Sequence, residues 1–447
     1  MGKAIKTRRG YNLNIKGEAQ KTVVQAPVAD AYAVKPPDFH SIIPKMMVKE
    51  GHTVLAGDPL FFSKLHPDVK FASPVSGTVR EILRGAKRRV LEVIIQPDGE
   101  NRHYDYGKVD LNNATQIKQQ LLDSGCWPFI VQRPYAVVAD PERTPKSIFI
   151  SAYATAPLAA DFATVLEGQE QEFQAGIDAL NTLVPGRVHL GVGKKDKSFL
   201  ASVNNAQIHK MSGPHPTGNV GVMIHHIDPV NQGEVVWTVR PEDVAIMGRM
   251  LTTGNYNPVR TVALVGQCVD EADRKYYRTL AGARVNSLTK IGGEDVRLIS
   301  GDVFTGDHIV QGQFLNFYKN ELTIIPEGRD HRFFGWVPFT YNGIPSVSRT
   351  SLNFLFRGKK QEVDTNMNGE ERALVVTGEM EESLPMDIFP MPLIKACLAH
   401  NIEMMENLGI YEVAPEDFGV VDFTNTSKIE AQEIIRLGLD LMLTEVG

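Results

Sequence analysis

Between residues 45 and 97, apolar positions come in short bursts separated by glycine and proline, the rhythm of a small β domain. In KMMVKEGHTVLAGDPLFF, Val48, Val54, Leu60 and Phe62 are the inward candidates. Glu50-Gly51 and Gly57-Asp58 supply tight turns, where glycine accepts a positive φ. Ser73-Pro74-Val75-Ser76-Gly77 marks another turn, after which Val79, Ile82 and Leu83 resume the pattern. This spacing predicts a β-barrel or sandwich over residues 1–108.

From residue 109 the period lengthens. Ile117, Leu121 and Leu122 fit a short helix stopped by Gly125. SIFISA reads as a buried strand, and Phe173, Ile177, Leu180 and Val184 as one face of a helix that Pro185-Gly186 ends before a second strand, RVHLGV. Strand, helix and strand with a short return make a βαβ unit, so 109–257 is expected to be an α/β domain with a parallel sheet. EVVWTV adds a strand, and Val244, Met247 and Leu251 a helix ending at Gly254. Over 258–328, TVALVGQ opens a glycine-rich α+β module with one helix predicted around Tyr276–Leu280. Residues 329–447 read as linker strands and a helical C-terminus. Pro392 opens a helix carrying Ile394, Leu398, Ile402 and Met405 with Gly409 as its stop. Ser427 and Glu430 form a capping box before a helix bearing Ile434, Leu437 and Leu441.

Composition changes this picture by exclusion. With a net charge of -6 over 447 residues, nothing points to nucleic acid. The one basic cluster, Arg80, Arg84, Lys87, Arg88 and Arg89, reads first as a solvated face and second as a docking patch. The N-terminal segment lacks the apolar core of a secretory signal, and no stretch is long and apolar enough to span a bilayer. The chain is therefore expected to be soluble by itself, and to reach a membrane only through partners. Cys126, Cys268 and Cys397 are isolated, which suits a reducing compartment and cannot ligate an iron–sulfur cluster.

Several stretches, in order along the chain, resemble one family. EGHTVLAGDPLF with SPVSGTV is similar to the barrel-sandwich module of biotinyl and lipoyl domains. SGPHPTG around His215, HHIDPVNQGEVVWTVRPEDV, APLAAD (Ala156–Asp161), EGRDHRFFGW (Glu327–Trp336) and LPMDIFPMPL (Leu384–Leu393) resemble the A subunits of sodium-translocating NADH:quinone reductases. That family is related to the C subunit of the Rnf complex and to the flavin-binding subunit of complex I. The resemblance implies four parts: a barrel-sandwich module, a Rossmann-like α/β domain, a β-grasp module of the soluble-ligand-binding type, and C-terminal helices. It also implies a position on the cytoplasmic side of the bacterial inner membrane. There, membrane subunits hold the chain and partner subunits carry NADH, flavins and the iron–sulfur centre. The complex would couple NADH oxidation and quinone reduction to sodium export; the isolated chain is not expected to catalyse.

Departures from the relatives bear on chemistry. Where the flavin-binding subunits place a glycine-rich phosphate cradle, this chain reads LLDSGCWPFIVQRPY, whose proline lacks an N–H and whose aromatics obstruct backbone approach. Gly191-Val192-Gly193-Lys194-Lys195 lacks the spacing of a phosphate loop. A flavin or NADH-binding dehydrogenase module is the first rival reading. A biotinyl or lipoyl carrier is the second, with Lys64 and Lys70 as the lysines to weigh; KLHPDVKF is too wide for a two-residue hairpin. His215, His225, His226 and Asp228 match no zinc spacing and are expected to serve packing and hydrogen bonding. No catalytic, cofactor or metal residue is assigned. For a quinone headgroup, which needs flat apolar walls and a few donors, Phe39, Trp127, Phe129 and Tyr135 are candidate walls. His40, Arg133 and the Tyr135 hydroxyl are candidate donors, at the boundary of the barrel and the α/β domain.

Overall fold

The computed structural model describes residues 2–329, 345, 347, 355 and 358–447. The N-terminal module is built from two antiparallel sheets. One runs Tyr32–Val34, Val90–Pro97, Gly77–Arg84, Thr53–Val54; the other runs Pro44–Met46, Pro59–Ser63, Lys70–Ala72. Val54, Leu60, Val79, Val93 and Ile95 fill the space between them. Phe62 departs from its expected inward position. The pairing of Pro59–Ser63 with Lys70–Ala72 slips between Pro59 and Phe61, so Leu60 and Phe61 both turn inward. Phe62 is left half-exposed under the Lys45 ammonium, 5.7 Å from its ring centre. Leu83, also expected to continue the inward pattern, is 39% exposed.

A seven-stranded sheet follows. Its order is Ala4–Lys6, Gln207–Ser212, Val188–Gly193, Ile148–Ser151, Val236–Val239, Ile130–Arg133, Val137–Val138. The first five are parallel and the last two antiparallel. Ile148–Ser151 and Val188–Gly193 are joined through helix Glu170–Leu183, which buries Phe173, Ile177 and Leu180. That helix lies against Pro241–Thr253 at two glycines: a Cβ on Gly248 would stand 1.9 Å from the Glu172 carbonyl oxygen, and one on Gly176 2.1 Å from that of Val244. Only glycine permits this approach.

The six-stranded third sheet is ordered Asp307–Ile309, Val296–Ser300, Glu321–Pro326, Val259–Val265, Tyr276–Leu280, Val23–Gln25. Tyr276–Leu280 is thus a strand and not the helix expected there. Tyr-Tyr-Arg-Thr-Leu is rich in residues suited to a pleated surface, and the whole segment pairs antiparallel with Val259–Val265. Two strands at the start of the chain pair outside the barrel sheets. Ala4–Lys6 is an edge strand of the seven-stranded sheet and Val23–Gln25 of the six-stranded one, so the N-terminal segment ties the two together before the barrel begins.

Near the C-terminus, Glu379–Ser383, Pro390–Leu398, Ile402–Asn407, Gly419–Thr424 and Ala431–Glu445 are helices around Leu393, Ile394, Met405, Ile435, Leu439 and Met442. Two expectations change here. The stripe Ile394–Leu398–Ile402–Met405 is split in two. His400 adopts a φ of 52°, and Asn401 caps the second helix by accepting from the Met404 N–H. The final helix turns one residue from the expected stripe, burying Ile435, Leu439 and Met442 while Leu437 is exposed. Its start carries no Ser427–Glu430 box. Ser427 Oγ donates to the Ala373 carbonyl, and the Asp422 carboxylate accepts from the Ala431 and Gln432 N–H groups. The EGRDHRFFGW stretch lies outside the described residues from position 330 onward.

Candidate functional site

The six residues proposed from sequence for a quinone fall into three places, and five of them are buried against protein. Phe39 and Phe129 belong to one aromatic cluster: Phe39 meets Phe71 edge-on at 4.5 Å and Phe317 at 4.7 Å, while Phe129 stacks on Phe317 at 5.0 Å. Trp127 packs edge-on against Trp237 at 5.4 Å and donates its Nε1–H to the Ala139 carbonyl at 2.7 Å. Arg133 and Tyr135 face the C-terminal helices. Arg133, 2% exposed, pairs with Asp417 at 3.1 Å and Glu416 at 2.7 Å. Tyr135 packs into the C-terminal core beside Tyr411, at 6.5 Å between rings. His40 is half-buried and 2.7 Å from Asp440; Asp440 binds Arg436, and Arg436 Nη1 donates to the Tyr135 carbonyl at 2.8 Å. His40 and Tyr135 are therefore linked through the final helix. The six surround no common cavity.

A cleft of about 460 Å³ opens between the barrel and the third sheet. From the barrel come Lys35 and Asp38, held on the turn Pro36–Asp38, with Leu83, Leu91 and Glu92 of the long hairpin. Phe314, Phe317 and Tyr318 form the facing aromatic wall, with His308, Gln313 and Asn316 at its polar edge. Phe317 connects this wall to the proposed residues, because Phe39 and Phe129 are the layer behind it. The Arg260 guanidinium lies 5.6 Å from both the Phe129 and Phe317 ring centres and is fixed by Asp243 at 2.5 Å. Tyr318 donates to the Pro128 carbonyl at 2.5 Å.

Lys35 and Asp38 organise the floor. Lys35 Nζ donates to the Phe314 carbonyl at 3.2 Å and Asn316 Oδ1 at 2.8 Å, and stands 3.5 Å from Asp38. Asp38 Oδ2 accepts the Phe317 N–H at 2.8 Å. Burial pushes the Asp38 carboxyl up to about 6, with the Lys35 ammonium pulling against it. Glu92 is raised by burial too. The Gln313 amide NH2 and the His308 ring have no hydrogen-bond partner among the described residues. An aromatic wall, a leucine rim and free donors suit a flat ring carrying carbonyl acceptors.

Elsewhere the histidines make separate contacts. His215 Nδ1 is hydrogen-bonded to Thr155 Oγ1 at 3.0 Å, and the ring stacks on Phe304 at 5.4 Å. His225 sits between Glu412 at 2.7 Å and the Asp387 N–H at 3.0 Å. His226 bonds the Val222 carbonyl. Among the described residues no group of three His, Cys, Asp or Glu is arranged to hold a metal ion. Lys70 is paired with Asp123 at 2.6 Å, and Lys64 is exposed on a connection spanning residues 64–69.

Comparison with known proteins matches three consecutive segments to one family. Residues 5–98 match the NqrA N-terminal barrel-sandwich hybrid domain, 112–256 the NqrA second alpha/beta domain and 261–311 the NQRA C-terminal domain. Over 99% of its length the chain is 34% identical to the whole of NqrA, the A subunit of the Na(+)-translocating NADH-quinone reductase, from Neisseria meningitidis serogroup A. The chain belongs to the NqrA family. A Haemophilus influenzae NqrA is 33% identical over 98% of both chains. One solved structure, an NAD+-reducing [NiFe]-hydrogenase, is similar over 48% of this chain and 47% of its own, at 10% identity and a TM-score of 0.34. That is too slight a likeness to bear on fold or function.

The barrel half of the cleft was legible only at its edge, since Phe39 and His40 directly follow Lys35-Pro36-Pro37-Asp38 along the chain. The facing wall was missed. Phe314, Phe317 and Tyr318 lie in a glycine-flanked loop about 280 residues away, and no local periodicity ties them to residue 38. Trp127 and Phe129 were chosen for their chemistry, and that same chemistry puts them in the core.

Proposed function

We propose that this chain is the A subunit of a Na+-translocating NADH:quinone reductase, a scaffold without a redox centre of its own. The carrying observation is 33–34% identity over nearly the full length of proteins with that name. NADH, flavins and the iron–sulfur centre then belong to partner subunits, and the chain is held on the cytoplasmic face by membrane subunits. Among the described residues no helix is long and apolar enough to cross a membrane. The α/β domain is read as Rossmann-like, the third sheet as a β-grasp module, and the C-terminal helices as a docking region. Affinity purification of the tagged chain from native membranes tests this reading. Recovery of the other reductase subunits in constant ratio is expected, and their absence would overturn it.

A second reading concerns quinone. We assign the headgroup contact to the cleft between barrel and third sheet rather than to a boundary with the α/β domain. The observation favouring it is the Phe314–Phe317–Tyr318 wall facing Leu83 and Leu91, with the Gln313 amide NH2 and the His308 ring making no hydrogen bond among the described residues. Phe39 and Phe129 back the wall, while Trp127, Arg133, His40 and Tyr135 make their contacts outside the cleft. Calorimetric titration with a water-soluble quinone should give saturable binding that Gln313→Ala and His308→Ala weaken severalfold. Absence of saturable binding would remove the cleft assignment and leave the reading of the chain as a reductase component standing.

A further inference from the structure

The long hairpin formed by Gly77–Arg84 and Val90–Pro97 extends beyond its neighbours. Thr53–Val54 reaches only Gly77 and Thr78, and Tyr32–Val34 only Val93 to Ile95. Over residues 80–92 no further strand flanks the pair, although Glu50 Oε1 accepts the Ile82 N–H at 3.0 Å, so this part is a two-stranded arm. Leu83 and Leu91 on the arm form one lip of the cleft. At its tip stand Lys87, Arg88 and Arg89, with Arg84 at the end of the first strand and Arg80 near its base beside Glu81, all exposed.

Two features separate these cations from an ordinary solvated face. The first is that none of the five makes an ion pair among the described residues, and the arm's own carboxylates, Glu81 and Glu92, lie on the strands rather than at the tip. Elsewhere in the barrel and third sheet, Lys70, Arg102, Arg284 and Arg297 each have a carboxylate at 2.6–2.9 Å, while Lys45, Lys49 and Lys64, which make no ion pair among the described residues, are scattered rather than clustered on one element. The second feature is the backbone. Lys87 and Arg88 have φ of 54° and 60°, the left-handed conformation for which hairpin turns prefer Asn-Gly. Two long cationic side chains occupy positions whose geometry favours Asn and Gly.

We propose that this arm is a docking surface for the anionic phospholipid headgroups of a bilayer. An acidic peptide would call for a groove, whereas the cations here crown a convex hairpin tip that meets a plane of many anions. The remainder of the molecule works against such contact: a chain of net charge -6 is repelled by an anionic surface unless a local patch holds it. Polybasic segments gain affinity for anionic leaflets roughly in proportion to their Lys and Arg count, and lose it with salt. Docked in this way, the arm brings the cleft that Leu83 and Leu91 border close to the headgroup layer. That the chain works beside a bilayer rests on the reductase reading above; vesicle binding is measured without any other subunit and so fails or succeeds separately.

The experiment is flotation of the full chain with phosphatidylglycerol/phosphatidylcholine vesicles and with phosphatidylcholine alone. It compares the wild type with a variant carrying Arg84→Gln, Lys87→Asn, Arg88→Gly and Arg89→Gln. Asn-Gly suits the turn, so the variant keeps the hairpin, which an unchanged or higher Tm verifies. The wild type should float with the anionic vesicles only, and the variant should need at least tenfold more lipid for half-maximal binding. Added sodium chloride should abolish the difference. No flotation of the wild type, or equal flotation of the variant, would overturn the proposal. So would salt-sensitive binding of the same residues to purified partner subunits without any lipid binding, which would assign the arm to an acidic protein surface.

Discussion

Arg133 shows how one side chain's chemistry serves different ends. The sequence marks it as a donor for a ligand, but in the fold its guanidinium is spent on Asp417 and Glu416, joining the seven-stranded sheet to the C-terminal helices. Burial raises the Asp417 carboxyl and Arg133 opposes the rise, so the acid depends on its partner. Arg133→Ala should therefore destabilise by about 3–5 kcal/mol, because it strands a buried carboxylate. The double exchange Arg133→Met with Asp417→Leu should recover much of that loss in urea unfolding. The buried histidines set the acid limit. His189, His209 and His215 are each held down to about 4 by burial, against 6.5 when unfolded. Between those values the unfolded chain binds more protons, so stability rises with pH from 4 to 6.5 and is lost as acid is added. Asp38, pushed up to about 6 from 3.8, works in the opposite sense over most of that window. Glu92, Glu242, Asp243, Glu321, Asp417 and Asp422, all raised by burial, pull the same way as Asp38, so the histidine contribution is read as a difference between variants. In urea unfolding from pH 4 to 7, His215→Phe should lower the slope of stability with pH, relative to the wild type, by up to about 1.4 kcal/mol per pH unit. None of this was readable from sequence, since a histidine's burial depends on strands that meet only in the folded sheet.

Secondary structure was legible where one face decides it. The helices Glu170–Leu183 and Pro241–Thr253 follow their apolar stripes, and Gly254 ends the second with a φ of 80°. The reading failed where a neighbour decides. Tyr276–Leu280 becomes a strand because Val259–Val265 offers it a ladder, and the final helix rotates because Gly438 lets Cys397 come close, 2.5 Å from where a Cβ would stand. Capping failed in the same manner: Ser427 and Glu430 have the right spacing, but Asp422, eight residues before Glu430, reaches the N–H groups first. Asp422→Ala should cost about 1–2 kcal/mol, whereas Glu430→Ala should stay within about 0.5 kcal/mol. Thermal unfolding of the two variants distinguishes these caps.

At the scale of the molecule, order along the chain and order in space diverge. The first strands are shared between two later sheets, and residues near 38, 90 and 315 meet at one cleft. The order of a barrel-sandwich part, an α/β part and a third mixed part was readable from motifs and turn spacing, but the joints between them were not, because each joint pairs segments hundreds of residues apart. The cleft occupies one such joint, roofed by a basic arm, in a chain of the NqrA family. On this reading the chain is needed for a Na+-translocating quinone reductase although it carries no redox centre itself. The most direct measurement is Na+-stimulated quinone reduction by NADH in membranes from cells lacking the chain, before and after the full chain is restored. Loss of the Na+-stimulated rate and its return on restoration are expected, with flavin content of the purified chain at zero. An unchanged Na+-stimulated rate in its absence would contradict the account.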